Sequence, residues 1–218
     1  MFKKTIIICA TILASAPTLV TVINAAQERD GRDHTNKVRG LDQWMIVIGN
    51  QRDASGRVAD RLYFGLEVKL FNLVERQYVA YGERDYGINL KWYKEPPASS
   101  FVVTRYRRSD RELMEPIKYG ENVAIMETTQ KKYLRYQERE YGINLVWDAK
   151  PFYEWQIFGG QAGTTIVKRP GGRGLAEPVV SLSNVRKNSF LVYGGRDYGI
   201  NLIWSNTDVR QFYKSEPM

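Results

Sequence analysis

From residue 44 onward the apolar positions alternate over short runs and break at polar turns. Residues 66–71 (LEVKLF) show the pattern plainly. Alternation with a period of two sends every second side chain to one face, the mark of a half-buried strand. The same pattern predicts strands at 44–48, 77–81, 88–92 and 101–106, then at 123–128, 132–136, 143–147 and 154–158. A further series follows at 179–183, 189–193, 200–204 and 211–213. Apart from a single helical turn near 109–114, no stretch carries a helical period. The expected fold class is therefore all-β.

Three of these segments are nearly the same sentence. Residues 78–92 read YVAYGERDYGINLKW, residues 133–147 read YLRYQEREYGINLVW and residues 190–204 read FLVYGGRDYGINLIW. Their arginines, Arg84, Arg139 and Arg196, recur at 55 and 57 residues (139 − 84 and 196 − 139). Each copy predicts a β-hairpin around a glycine-containing turn. After the turn, Ile88, Leu90 and Trp92 share one face, as do Ile143, Leu145 and Trp147, and Ile200, Leu202 and Trp204. These nine are expected in the core, with the tryptophans at equivalent positions. Gly87, Gly142 and Gly199 are expected at positive φ, where the chain re-enters the strand.

Three four-stranded units of about 55 residues, without helix, resemble a β-trefoil, in which six strands form a barrel and three hairpins cap one end. The resemblance covers residues 44–215, with repeats at about 62–106, 119–160 and 175–215. The layout Y-L-x-Y-x-x-R-x-Y-G-I-N-L-x-W, followed by a W-x-I strand, is similar to ricin-B-like and fascin-like repeats. The Q-x-W triplet that marks ricin-type lectin repeats is missing, so that family's sugar-binding residues are not transferred. Trp44-Met45-Ile46 resembles Trp155-Gln156-Ile157, and each precedes a long loop, at 49–61 and 159–177. The first strand thus either completes the third unit or competes with residues 211–213 at the seam.

The chain has 218 residues. Its first 26 depart from the strand pattern: Lys3 and Lys4 precede an apolar run at 5–23, with small residues at Ala25 and Ala26. This is the layout of a secretory signal peptide and implies a secreted or periplasmic protein with no stable membrane span after cleavage. Residues 27–42 are polar and aperiodic, expected as a flexible arm carrying the single histidine, His34; residues 43–218 form the one folded domain. The one cysteine, Cys9, lies in the apolar run, so no disulfide is expected in the exported chain. The net charge of +8 falls to +6 without Lys3 and Lys4 (30 basic minus 24 acidic residues). The positive charges are scattered rather than gathered on one face, which argues against a nucleic-acid partner and for solubility and attraction to anionic cell surfaces.

The repeated turns carry the candidate chemistry. Arg84, Asp85, Tyr86 and Asn89 recur as Arg139, Glu140, Tyr141 and Asn144, and as Arg196, Asp197, Tyr198 and Asn201. A carboxylate acceptor, amide and guanidinium donors, and an aromatic plane are what a sugar site needs. The alternative is structural: the arginine pairs with the acid or with carbonyls, and the asparagine satisfies turn backbone. No nucleophile–base pair, phosphate loop or metal-ligand spacing accompanies them, so no enzymatic activity, metal or cofactor is expected. Related by the repeat, the three acids should lie apart from one another. The expected function is a lectin-like protein for glycans or a cell-surface glycoprotein, toxin-associated or adhesive. The alternatives are a protein-binding trefoil, with loop 159–177 as an inhibitory loop, and a structural subunit of a secreted complex.

Overall fold

The computed structural model describes residues 43–53, 55–106, 115–171, 174–196 and 199–205. The apolar leader, the polar arm with His34, the turn near 109–114, the strand at 211–213, Asp197 and Tyr198 lie outside the described residues.

Fourteen strands and no helix occur among them. They are β1 (Trp44–Val47), β2 (Glu67–Asn72), β3 (Gln77–Tyr81), β4 (Leu90–Tyr93), β5 (Phe101–Thr104), β6 (Ala124–Glu127), β7 (Lys132–Tyr136) and β8 (Leu145–Asp148). Then follow β9 (Trp155–Phe158), β10 (Arg169–Gly171), β11 (Gly174–Ala176), β12 (Val179–Asn184), β13 (Ser189–Tyr193) and β14 (Leu202–Ser205). Twelve join one curled antiparallel sheet, and β10 and β11 form a separate hairpin inside loop 159–177. β1 pairs with both β2 and β12, so it is a full member of the sheet at the seam. β2 pairs also with β3 and β5, and β6 with β5 and β7. β9 pairs with β12, and one bridge, Val123 to Trp155, links the end of β6 to β9. The three repeated segments are the hairpins β3–β4, β7–β8 and β13–β14.

The second strand of each hairpin starts two residues later than the alternation predicts. The cause is local: the N–H of Leu90 donates to the carbonyl of Ile88 at 2.7 Å, as Leu145 does to Ile143 and Leu202 to Ile200. A bond from residue i+2 back to i is a tight turn and removes those residues from the ladder. The isoleucines are nevertheless buried, at 3–4% exposure.

The tryptophans correct the expected core. Leu90, Leu145 and Leu202 are buried, whereas Trp92, Trp147 and Trp204 are half-buried and rest on the core. The fully buried tryptophans are instead Trp44 and Trp155, whose indole N–H groups donate to the carbonyls of Leu191 and Leu134 at 2.7 Å. Trp92 stacks on Trp44 at 6.3 Å and Trp204 on Trp155 at 6.1 Å. Each hairpin tryptophan also meets a tyrosine of another hairpin: Trp92 with Tyr193, Trp147 with Tyr81 and Trp204 with Tyr136, at 5.8–6.1 Å.

Away from the hairpin turns, three loops meet around the fully buried Leu62, Ile117 and Ile166. Their backbones close a ring: Leu62 N–H donates to Ile166 O at 2.9 Å, Ile166 to Ile117 at 2.9 Å and Ile117 to Leu62 at 2.8 Å. A second set follows, from Phe64 to Glu115, Tyr119 to Thr164 and Lys168 to Asp60, at 2.7–3.0 Å.

The turns after β2, β6 and β12 also match. Asn72, Glu127 and Asn184 are fully buried, and their side-chain oxygens accept backbone N–H bonds from residues two or three further on, such as Val74 and Gln130. Four residues after each, Arg76, Lys131 and Asn188 take φ values of 53–59°, a left-handed conformation uncommon outside glycine.

Candidate functional site: the three repeated turns

The turns are built alike from the backbone up. Gly87, Gly142 and Gly199 hold φ of 84–88°, where a side chain would be strained. Asn89 Oδ1 accepts the N–H of Arg84 at 3.2 Å, Asn144 that of Arg139 at 3.2 Å and Asn201 that of Arg196 at 3.3 Å. Each arginine then folds back, its Nη1 donating to the carbonyl of Leu90, Leu145 or Leu202 at 3.3–3.4 Å. Asn89 Nδ2 also donates to the Tyr81 hydroxyl at 3.4 Å. The arginine and asparagine of every copy thus lock the hairpin, which accounts for their repetition without a ligand. At the third copy, Tyr193 is held above the usual phenol range, first by its hydrogen bond to Glu75, with the bond from Asn201 opposing and partial burial adding.

The acid and the tyrosine of the first two copies have no such task among the described residues. Asp85 and Glu140 are exposed and make no hydrogen bond or ion pair among the described residues. Tyr86 is 86% and Tyr141 76% exposed, the two largest exposures among the large apolar side chains described. Leaving two tyrosine rings in water forgoes burial that would stabilise the fold. Their third counterparts, Asp197 and Tyr198, lie outside the described residues.

Residues of all three turns face one common space. Glu83, Arg84, Asp85 and Tyr86 of the first turn, Glu140, Tyr141 and Gly142 of the second, and Arg196 and Gly199 of the third line one open depression of about 1440 Å³. Lys91 and Trp92 complete its wall. The hairpins bring their turns together because each hairpin tryptophan packs on a tyrosine of a neighbouring hairpin. Arg139 instead faces a smaller hollow of about 340 Å³, with Asn89, Gln137 and Trp147. Asn144 and Asn201 are spent on the turns. Glu83, Lys91 and Trp92 were not among the expected site residues. Lys91 lies on the outward face of an alternating strand, the one signal that could have singled it out.

Loop 159–177, the candidate loop of the alternative protein-binding reading, is tied down at several points. Ile166 belongs to the buried ring, and Glu177 accepts the N–H groups of Ile48 and Gly49 at 3.0 and 2.9 Å. Glu177 also pairs with the buried Lys168 at 3.2 Å, and Lys168 Nζ donates to the carbonyl of Gly49. Among the described residues no group of three or more acidic, histidine or cysteine side chains could hold a metal ion, and no helix is long and apolar enough to cross a membrane. Comparison with protein-family models, with curated proteins and with solved structures finds no significant match.

Proposed function

We propose that this chain is a secreted, lectin-like β-trefoil that binds cell-surface glycans at the end of the molecule carrying its three repeated turns. The trefoil reading is supported by recurrence at four levels. The strands group as β1–β4, β5–β8, and β9 with β12–β14, each group paired in the same order. The buried ring of Leu62, Ile117 and Ile166 runs round one axis, the three Trp–Tyr contacts round another level of it, and the turn locks repeat in every copy. Counting units from β1 rather than from residue 62 is a second cut of the same cycle, because β5 pairs with both β2 and β6.

The observation that carries the glycan reading is the pair Tyr86 and Tyr141, left exposed beside the unpartnered carboxylates of Asp85 and Glu140 around one depression. An exposed aromatic face takes the apolar C–H side of a sugar ring, and a carboxylate accepts from its hydroxyls. Secretion rests on the apolar leader and the small residues at Ala25 and Ala26. The test is a glycan array probed with the exported protein and with Tyr86→Ala/Tyr141→Ala. The expected result is a restricted set of glycans bound by the parent and lost by the variant. A blank array for both proteins refutes the reading. N-terminal sequencing of the exported chain should begin near Ala26 or Gln27.

A further inference from the structure

We infer that the three turns form one binding site, not three, and that its ligand is an electrically neutral oligosaccharide bound one per chain. This rests on the glycan reading above and narrows it in number and in chemistry.

The number follows from geometry. A lectin with three independent sites needs three separate hollows, each lined by its own copy of the motif. Here, although Arg139 faces the smaller hollow, the first, second and third turns contribute Asp85, Glu140 and Arg196 to the wall of one larger depression. Its volume of about 1440 Å³ exceeds the ~300–1,000 Å³ of sites for drug-sized ligands, so it matches an oligomer spanning several contacts. Trp92 in the wall leans on Tyr193, which ties that wall to another hairpin.

The chemistry follows from charge. The chain carries +8 overall, which by itself suggests a polyanionic partner such as a sulfated glycan. The depression does not share that excess. Its described lining holds three acids, Glu83, Asp85 and Glu140, against three cations, Arg84, Lys91 and Arg196. Arg84 and Arg196 are moreover drawn onto the carbonyls of Leu90 and Leu202. Among the described residues the lining is balanced, and it offers no net attraction to a sialylated or sulfated chain. It does offer donors, acceptors and aromatic planes to hydroxyls and sugar C–H faces.

The experiment uses an array of neutral, sialylated and sulfated glycans, followed by calorimetric titration of the brightest neutral glycan into the full exported protein. The expected results are binding to neutral glycans, a stoichiometry of one, and a fall in affinity of about tenfold for Tyr86→Ala with the stoichiometry still one. Tyr141→Ala should act in the same way, since both rings face the same ligand. A stoichiometry of three, or of two for Tyr86→Ala with undiminished affinity, overturns the single site. Binding confined to sialylated or sulfated glycans overturns neutrality and leaves the glycan reading standing. No binding to any glycan removes the glycan reading itself, and this inference with it. Both tyrosines are exposed, so the variants keep the fold, which the same circular dichroism spectrum and melting temperature as the parent will confirm.

Discussion

The indole of Trp147 rests against the ring of Tyr81, 6.1 Å between centroids, so the tryptophan of one hairpin is completed by the tyrosine of another. Its N–H is sheltered from solvent without an acceptor, unlike that of Trp155, which donates to Leu134. Trp155→Ala removes a fully buried ring and should destabilise the protein by about 3–5 kcal/mol. Trp147→Ala removes a half-buried one and should cost clearly less, about 2 kcal/mol. Urea unfolding of the two variants checks the order; equal losses would mean Trp147 is as central to the core as Trp155.

The turn lock can be tested where it is most isolated. Asn144→Ala leaves the N–H of Arg139 without its acceptor and should cost about 1 kcal/mol. Asn89→Ala and Asn201→Ala should cost similar amounts, because the same bond is made there at 3.2 and 3.3 Å. Denaturant midpoints that do not move in any of the three would remove the structural explanation for the repeated asparagine.

The turn acids should behave in the opposite way. Asp85→Asn combined with Glu140→Gln removes two exposed charges that pair with nothing among the described residues, so stability should change by less than about 0.5 kcal/mol. Glycan binding should fall. A large drop in melting temperature with intact binding would move these acids from the site to the scaffold.

Loop 159–177 hangs on Glu177. Glu177→Ala strips two backbone N–H groups of their acceptor and leaves the ammonium of Lys168 buried beside a carbonyl, which should cost about 3–5 kcal/mol. Adding Lys168→Met should recover part of the loss, because the orphaned charge goes with it. Thermal melts of the single and double variants decide; no recovery would show that the backbone bonds, not the ion pair, carry the effect.

Acid should weaken one hairpin in a defined direction. The Asp148 carboxyl is held below the usual carboxylate range, first by the N–H of Lys150 and then by Arg135, 2.7 Å away. A carboxyl lowered in the folded state contributes stability above its unfolded value of about 3.9, and the contribution disappears as pH falls through the folded value. The advantage of the parent over Asp148→Asn should therefore be constant at neutral pH and vanish in strong acid. Tyr193, raised by Glu75, has the reverse sign: its contribution holds below about pH 10 and is lost as pH rises through its folded value. Melting curves across both ranges check the two signs, and an advantage for Asp148 that grows in acid would overturn the first.

Much of this architecture was legible because strands announce themselves by alternation. β1 to β9 and β12 to β14 all fall within or beside the expected runs. The hairpin β10–β11 was not legible, since Pro170, Gly171 and Gly174 carry loop chemistry and no alternation. Nor were the turns after β2, β6 and β12. There the repeat is one of conformation, with Asn72, Glu127 and Asn184 accepting alike and Arg76, Lys131 and Asn188 taking the same φ, while Glu127 and all three positive-φ residues differ in type. The site was half legible. Periodicity along a chain reports that turns are alike, but not how far they stand from a common axis, so the single depression and the contribution of Lys91 could not be read from spacing.

The ring through Leu62, Ile117 and Ile166 has a consequence for how the chain comes to exist at all. Its three members are contributed by the early, middle and late parts of the polypeptide, and β1 waits for β12. No unit can seal its own base or hide its own strand edge before the others arrive. Contacts of such long sequence separation make folding slow and its transition all-or-none. Until Val179 and the residues after it are in place, the chain presents an open β-edge at Trp44, the kind of edge that other chains add to. Keeping copies of this protein apart while the chain is being made is therefore built into the requirements of the fold.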